Sequence, residues 1–235
     1  MAIYVIVFIV AYLIGSVNFS ILISKKMAGF DVREKGSGNA GTTNVLRTVG
    51  KKAAALTLCC DILKGVFAVL IARVLGHFVT DINAAVLVEL AAFGVVIGHT
   101  FPVFFGFKGG KGVATSLGII LIINWRIGLA CLLFWIILVA ITRMVSLGSI
   151  SAAVLFAVLT IIIRENYITA EYHWSYIIFG ILLACFVVFN HRANLKRILS
   201  GTENKLSFKK KKEENSTEEV TENVSESNEK EDKGE

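Results

Sequence analysis

Three polar clusters in this chain have the makings of a phosphate site, each from a different set of donors. The first is Gly36 to Lys52, GSGNAGTTNVLRTVGKK. Ser37, Asn39, Gly41, Thr43 and Asn44 offer small hydroxyls, amides and backbone N–H groups, and Arg47, Lys51 and Lys52 offer charge. Those are the groups that bind an oxyanion. On a helix begun at Thr43 and capped by Thr42 or Thr43, Asn44, Arg47 and Lys51 share one face. The second is His99 to Thr115, HTFPVFFGFKGGKGVAT, with the chain's single proline, Pro102. Lys108 and Lys111 flank Gly109 and Gly110, and glycine lets backbone amides turn inward without a Cβ clash. Lysines beside such amides suit an anion. KGGKG is not the GxxxxGKS/T loop of nucleotide hydrolases. The third is Asn190 to Lys205, NHRANLKRILSGTENK. As a helix it puts His191, Asn194 and Ile198 on one face, sets Arg197 three residues from Asn194, and ends at Gly201. Glu203 is the carboxylate of that segment, expected to pair with a loop arginine or lysine and hold the site together.

Each cluster also has a plainer reading. The first could be an ordinary Gly/Ser/Asn loop with a capped helix. The second could be a basic loop that follows topological charge bias, with His99 as an interfacial histidine. The third could be a basic amphipathic helix lying on anionic lipid.

The elements that must position these clusters are apolar helices. The chain has 235 residues, 55% apolar, with a mean hydropathy of +0.69. So apolar a sequence of this size describes an all-α, multispanning membrane protein. About seven spans are expected: Ile3 to Ile23, Ala53 to Gly76, Ile82 to Gly98, Val113 to Ile123, Ile127 to Ile141, Ile150 to Ile163 and His173 to Phe189. The fourth and sixth are short, and five spans result if the fourth and fifth do not both cross. Alternating the connections puts fourteen basic residues on one side and three on the other. That bias places the N-terminus outside, the C-terminus in the cytoplasm, and all three polar clusters on the cytoplasmic face. No basic residue precedes the first apolar run, so it reads as an uncleaved span.

Asp61 and Lys64 lie three residues apart within the second span and can pair as a structural clamp. Ser146 and Ser149 fall in a turn where they either cap the sixth helix or line the site. His77 and Asp81 have the His-x4-Asp spacing of one class of acyltransferases. They sit in an external turn, and the match reads as chance. Residues 209–235 carry 6 lysines and 10 acidic residues with almost no apolar content, so they read as a disordered charged cytoplasmic tail on a 1–208 membrane domain. The four cysteines lie in apolar segments, with no zinc spacing.

Taken together, SGNAGTTNVLR (Ser37 to Arg47), GHTFPVFFGFKGGKGVATS (Gly98 to Ser116) and HRANLKRILSGTEN (His191 to Asn204) resemble the bacterial PlsY family. These are membrane glycerol-3-phosphate acyltransferases that use acyl phosphate. The Asp61 to Gly65 step and Arg143 to Ser149 fit the same pattern, and the likeness covers about residues 1–208. It implies acyl transfer to the 1-hydroxyl of glycerol 3-phosphate in a bacterial cell (inner) membrane, with an active site facing the cytoplasm. Ser37, Arg47, His191 and Asn194 are the expected catalytic groups. Asn39, Gly41, Thr43, Asn44, Lys51, His99, Lys108, Gly109, Gly110, Lys111, Ser146 and Arg197 are expected to bind substrate. Asp61, Lys64 and Glu203 are expected to give structural support. Acyl phosphate, glycerol 3-phosphate, the bilayer and a soluble acyl-phosphate-producing enzyme are the implied partners. No metal, cofactor or nucleic acid is called for. The alternative is a transporter of a phosphate-containing anion, which predicts polar residues running on through the spans.

Overall fold

The computed structural model describes residues 1–79, 82–163 and 173–206, and residues Met1–Lys205 form one compact unit. The described residues are helical, without a strand: α1 (Ala2–Ser16), α2 (Phe19–Ala28), α3 (Thr42–Thr48), α4 (Lys51–Phe78), α5 (Ala84–Thr100), α6 (Val113–Ile123), α7 (Trp125–Thr142), α8 (Val145–Ile162), α9 (His173–Asn190) and α10 (Arg192–Leu199). Asp81, the 164–172 connection and the tail from residue 207 lie outside the described residues, so the His77–Asp81 pair and the tail reading have no structural counterpart here.

All seven apolar segments are helical. Five stretches are long and apolar enough to cross a bilayer, or six if α9 and α10, bent by 63°, are taken as one span. Their outward faces carry exposed Val5, Ile9, Phe67, Val74, Leu133, Ile137 and Leu182, as lipid contact requires. The fourth expected span, α6, has 11 residues, about 16 Å of helix against a hydrocarbon core of about 30 Å. Its start explains its length. A Cβ on Gly65 would lie 2.5 Å from the Thr115 carbonyl, so the first turn of α6 meets α4 at Gly65. Gly65 lies about 21 Å along α4 from Lys51 at helical rise. The end of α5 sits at the same height, because His99 meets Lys64. The loop between α5 and α6 therefore leaves and rejoins the bundle well inside the end of α4. The early turns of α4, with α2 and α3, form a wall beside it, packed on buried Ile21, Val32, Ala40, Val45 and Ala53.

The first expected span is not one helix. It breaks at Val17–Asn18, where Asn18 caps α2 by accepting from the Ile21 amide at 3.2 Å. The break frees carbonyls, and a buried lysine uses them. Lys64 Nζ donates to Gly15 and Val17 carbonyls at 3.1 and 3.0 Å and pairs with Asp61 at 2.9 Å. A buried cation needs such partners. Glu89 of α5 is a further carboxyl inside a span and accepts from the Ser175 hydroxyl at 3.1 Å. It extends the polar residues within spans beyond Asp61 and Lys64.

Close packing of α1 on α5 fixes the end of α5. A Cβ on Gly98 would fall 2.1 Å from the Tyr12 carbonyl and 2.9 Å from the Ser16 amide, both backbone atoms. Gly98→Ala is expected to cost about 1–3 kcal/mol by overpacking, read as a lower Tm in detergent.

Candidate active site

The three clusters converge on Lys111. Its ammonium donates to the Asn194 side-chain carbonyl, which joins the second cluster to the third. Its neighbour Gly110 sits so close to Ala40 that an added Cβ would lie 2.6 Å from the Ala40 carbonyl, which joins the second to the first. The charges of Glu203, Arg197 and Arg47 all act on Lys111. Ser37, Arg47 and Lys108 are exposed at this end of the molecule, while Asn39, Gly41 and Thr43 are half-buried.

Glu203 braces the arrangement. Oε1 accepts from the Asn194 amide at 2.8 Å and the Ser146 hydroxyl at 2.9 Å, and Oε2 accepts from Arg197 Nε at 2.9 Å. Its predicted loop partner is replaced by Arg197, on α10 itself. The chain reverses tightly enough for this because Gly201 adopts a left-handed φ of 71° and Thr202 N–H bonds back to the Arg197 carbonyl. Burial alone would raise the Glu203 carboxyl; the three donors outweigh it and hold it below its usual range. Ser146 is in the first turn of α8, which starts earlier than expected, so it lines the site from a helix instead of a turn.

His191 is buried just beyond α9, and its Nδ1 lies 2.8 Å from the Val187 carbonyl. Only a protonated Nδ1 can bond that carbonyl, which leaves the Nε2 lone pair free in the neutral ring. Burial, then the Lys111 charge, push the imidazole down to about 4.

Several expected substrate contacts are committed elsewhere. The Gly109 and Gly110 amides donate to the Thr100 and His99 carbonyls at 3.0 and 3.1 Å, so they close the loop onto α5 and do not point at a phosphate. What these positions require is close approach: a Cβ on Gly110 would be 2.1 Å from His99 Nε2. His99 is buried, with Nδ1 2.9 Å from Lys64 and 3.5 Å from Asp61, so it belongs to the internal clamp. Asn44 is buried too. It accepts from the Ser37 amide at 2.9 Å and donates to Val32 and Lys35 carbonyls at 2.8 and 3.0 Å, shaping the loop that presents Ser37. Asn44, Arg47 and Lys51 do not share one helix, because α3 stops at Thr48 and Gly50, at φ 123°, starts α4. Gly41, not a threonine, precedes α3 at the cap position. Arg33, one of the fourteen basic residues that topology places on one side, grips the glycine–lysine loop, and Asp31 holds its guanidinium.

Such a site can hold an anion with several cations while an amide and an uncharged imidazole orient a second group. Lys111 gives it a pH dependence. Burial is the main cause that lowers its ammonium to about 8; Arg197 and Arg47 push the same way, and Glu203 opposes them. The charged form prevails below that value and is lost above it. If Lys111 binds substrate phosphate, kcat/KM should fall as pH rises through about 8, since kcat/KM reports the free enzyme. Lys111→Arg, charged throughout, should move that limb upward in a pH–rate profile.

The fold and site define a polytopic helical membrane protein with a cluster of cationic and polar side chains where three of its connecting segments meet. Comparison with known proteins narrows this. A family model described as glycerol-3-phosphate acyltransferase matches residues 5–201. A glycerol-3-phosphate acyltransferase of Clostridioides difficile (strain 630) is 45% identical over 207 residues, covering 88% of this chain and 97% of that protein. One from Thioalkalivibrio sulfidiphilus (strain HL-EbGR7) is 47% identical over 201 residues, covering 86% and 93%. A crystal structure of PlsY, an integral membrane glycerol 3-phosphate acyltransferase, in its glycerol 3-phosphate form has a TM-score of 0.75 at 36% identity, covering 87% of this chain and 96% of that one. The lysophosphatidic acid form gives 0.73 at 34% identity, covering 87% and 95%. This chain belongs to the glycerol-3-phosphate acyltransferase family.

Proposed function

We propose that this chain transfers a fatty acyl group from acyl phosphate to the 1-hydroxyl of glycerol 3-phosphate, giving lysophosphatidic acid and inorganic phosphate. The observation that carries this reading is the linkage of Lys111 to Asn194, of Asn194 to Glu203 and of Glu203 to Arg197, with the charge of Arg47 in electrostatic reach of Lys111. Two phosphate substrates repel each other, and several cations together with N–H donors are needed to hold both. Arg47, with Ser37 and Asn39, is assigned to one phosphate; Lys108 and Lys111 are assigned to that of glycerol 3-phosphate. The family relationship supports glycerol 3-phosphate as acceptor, and the relatives reported above are all acyltransferases.

Acyl phosphate is a mixed anhydride, so the reaction needs positioning and charge neutralisation more than a covalent enzyme intermediate. The glycerol oxygen attacks the acyl carbon. The carbon–oxygen bond to phosphate breaks, and its electron pair leaves with the phosphate. The hydroxyl proton ends on that phosphate. As that bond breaks the phosphate gains the negative charge and becomes a better proton acceptor than His191, which burial holds down at about 4. His191 Nε2 instead accepts a hydrogen bond from the attacking hydroxyl and, with Asn194, orients it. The site faces the cytoplasm, where glycerol 3-phosphate is dissolved, in a bacterial cell membrane. The acyl donor comes from a soluble acyl-phosphate-producing enzyme. Labelled acyl phosphate, mixed with the protein without acceptor and then denatured, tests the direct route. No labelled protein is expected; stoichiometric acylation of a side chain would contradict it.

A further inference from the structure

The loop carrying Lys108 and Lys111 is gripped from outside the site by a side chain that the proposed chemistry does not use. Arg33 lies between α2 and α3. Its Nε and Nη2 donate to Asp31 Oδ1 and Oδ2 at 3.0 and 2.8 Å, a two-pronged pair. Its Nη1 donates to the carbonyls of Phe105 and Lys108 at 2.7 and 3.1 Å. All three guanidinium nitrogens are thereby engaged. Asp31 is itself fixed: it is buried, accepts from the Arg33 amide at 3.0 Å and faces Lys25 at 3.4 Å. Val32, between them, is fully buried in the wall. The fork is thus aimed by its own segment.

The two carbonyls it takes enclose the sharpest bend of the loop, where Gly106 and Phe107 both adopt positive φ, 66° and 58°. On its other side the loop is tied to α5 through the Gly109 and Gly110 amides. Pulling both carbonyls onto one guanidinium fixes the direction in which the chain leaves the bend, and so where Lys108 and then Lys111 project. We propose that Arg33 is a positioning residue, whose fork sets the 105–111 segment so that its lysines meet the substrate phosphate. This rests on the phosphate role proposed above. Lysine cannot replace it, because an ammonium lacks the planar fork that reaches a carboxylate and two carbonyls at once.

The test uses purified Arg33→Lys and Asp31→Asn proteins beside wild type. The first readout is amide hydrogen exchange, which needs no activity. Exchange at Phe107, Gly109 and Gly110 should rise tenfold or more, while α4 and α5 keep wild-type protection. The second is kinetic: KM for glycerol 3-phosphate should rise tenfold or more, with kcat changed less than threefold. Unchanged loop exchange would overturn the proposal, as would a loss of protection spread through α4 and α5. Faster loop exchange with an unchanged KM would also overturn it while leaving the function standing. Wild-type protein that fails to acylate glycerol 3-phosphate would instead overturn the function itself, which the exchange data do not depend on.

Discussion

Arg47→Ala is expected to lower kcat/KM by about 100- to 1,000-fold, the usual loss when one donor to a developing anion is removed. The variant should still insert and elute as wild type does. Arg47 is exposed on α3 and caps no helix, so its removal leaves no buried group unpaired. Its charge nevertheless acts on Lys111, so it is in electrostatic reach of the site. Steady-state kinetics in lipid or detergent check this, with size-exclusion chromatography as the folding control. Arg47→Lys should recover only part of the loss, since a lysine binds phosphate as a point charge and not as a fork. Normal turnover by Arg47→Ala would remove the main phosphate clamp from the proposed mechanism.

The second large effect is at Glu203, which substitutes for no substrate group and acts through others. In Glu203→Gln, Oε1 can still accept from Asn194 and Ser146, but the new amide nitrogen opposes the Arg197 Nε donor that Oε2 now accepts at 2.9 Å. The charge that supports Lys111 also disappears. Losing hydrogen bonds to a charged group costs about 1.5–3 kcal/mol each, so a drop in kcat/KM of about 100-fold is expected. The sign of a second effect follows from the same contacts. Glu203 raises the Lys111 ammonium, so neutralising it lowers that group, and the alkaline limb should move below about 8. A pH–rate profile of Glu203→Gln measures both. A profile with the limb unmoved would separate Glu203 from Lys111.

Much of this was legible in the sequence because the bilayer imposes simple demands. Apolar runs had to be helices, and the polar clusters between them had to share a face if the basic residues obeyed charge bias. The motif around Gly109 and Gly110 was conspicuous, but its meaning was not. Sequence shows that these glycines permit inward amides; only the fold shows that His99 and Thr100 carbonyls take those amides. The break at Val17–Asn18 was hidden because apolar residues continue on both sides of it. Its signal was the buried Lys64, a cation in need of carbonyls, 47 residues downstream of Val17. Likewise, Thr43 to Lys52 reads as one helix until the positive φ of Gly50 divides it. Glu203 was identified as a brace, yet its bond to Ser146 spans 57 positions and no local pattern could supply it. Arg33 looked like one more topological charge, and the Asp-x-Arg spacing beside it was the available clue.

The acyl donor is identified by giving the purified protein glycerol 3-phosphate with palmitoyl phosphate and with palmitoyl-CoA separately. Lysophosphatidic acid and inorganic phosphate are followed together. Turnover is expected with palmitoyl phosphate, with one phosphate released per lysophosphatidic acid formed, and none with the thioester. Turnover with the thioester alone would contradict the donor assignment and the direct displacement built on it.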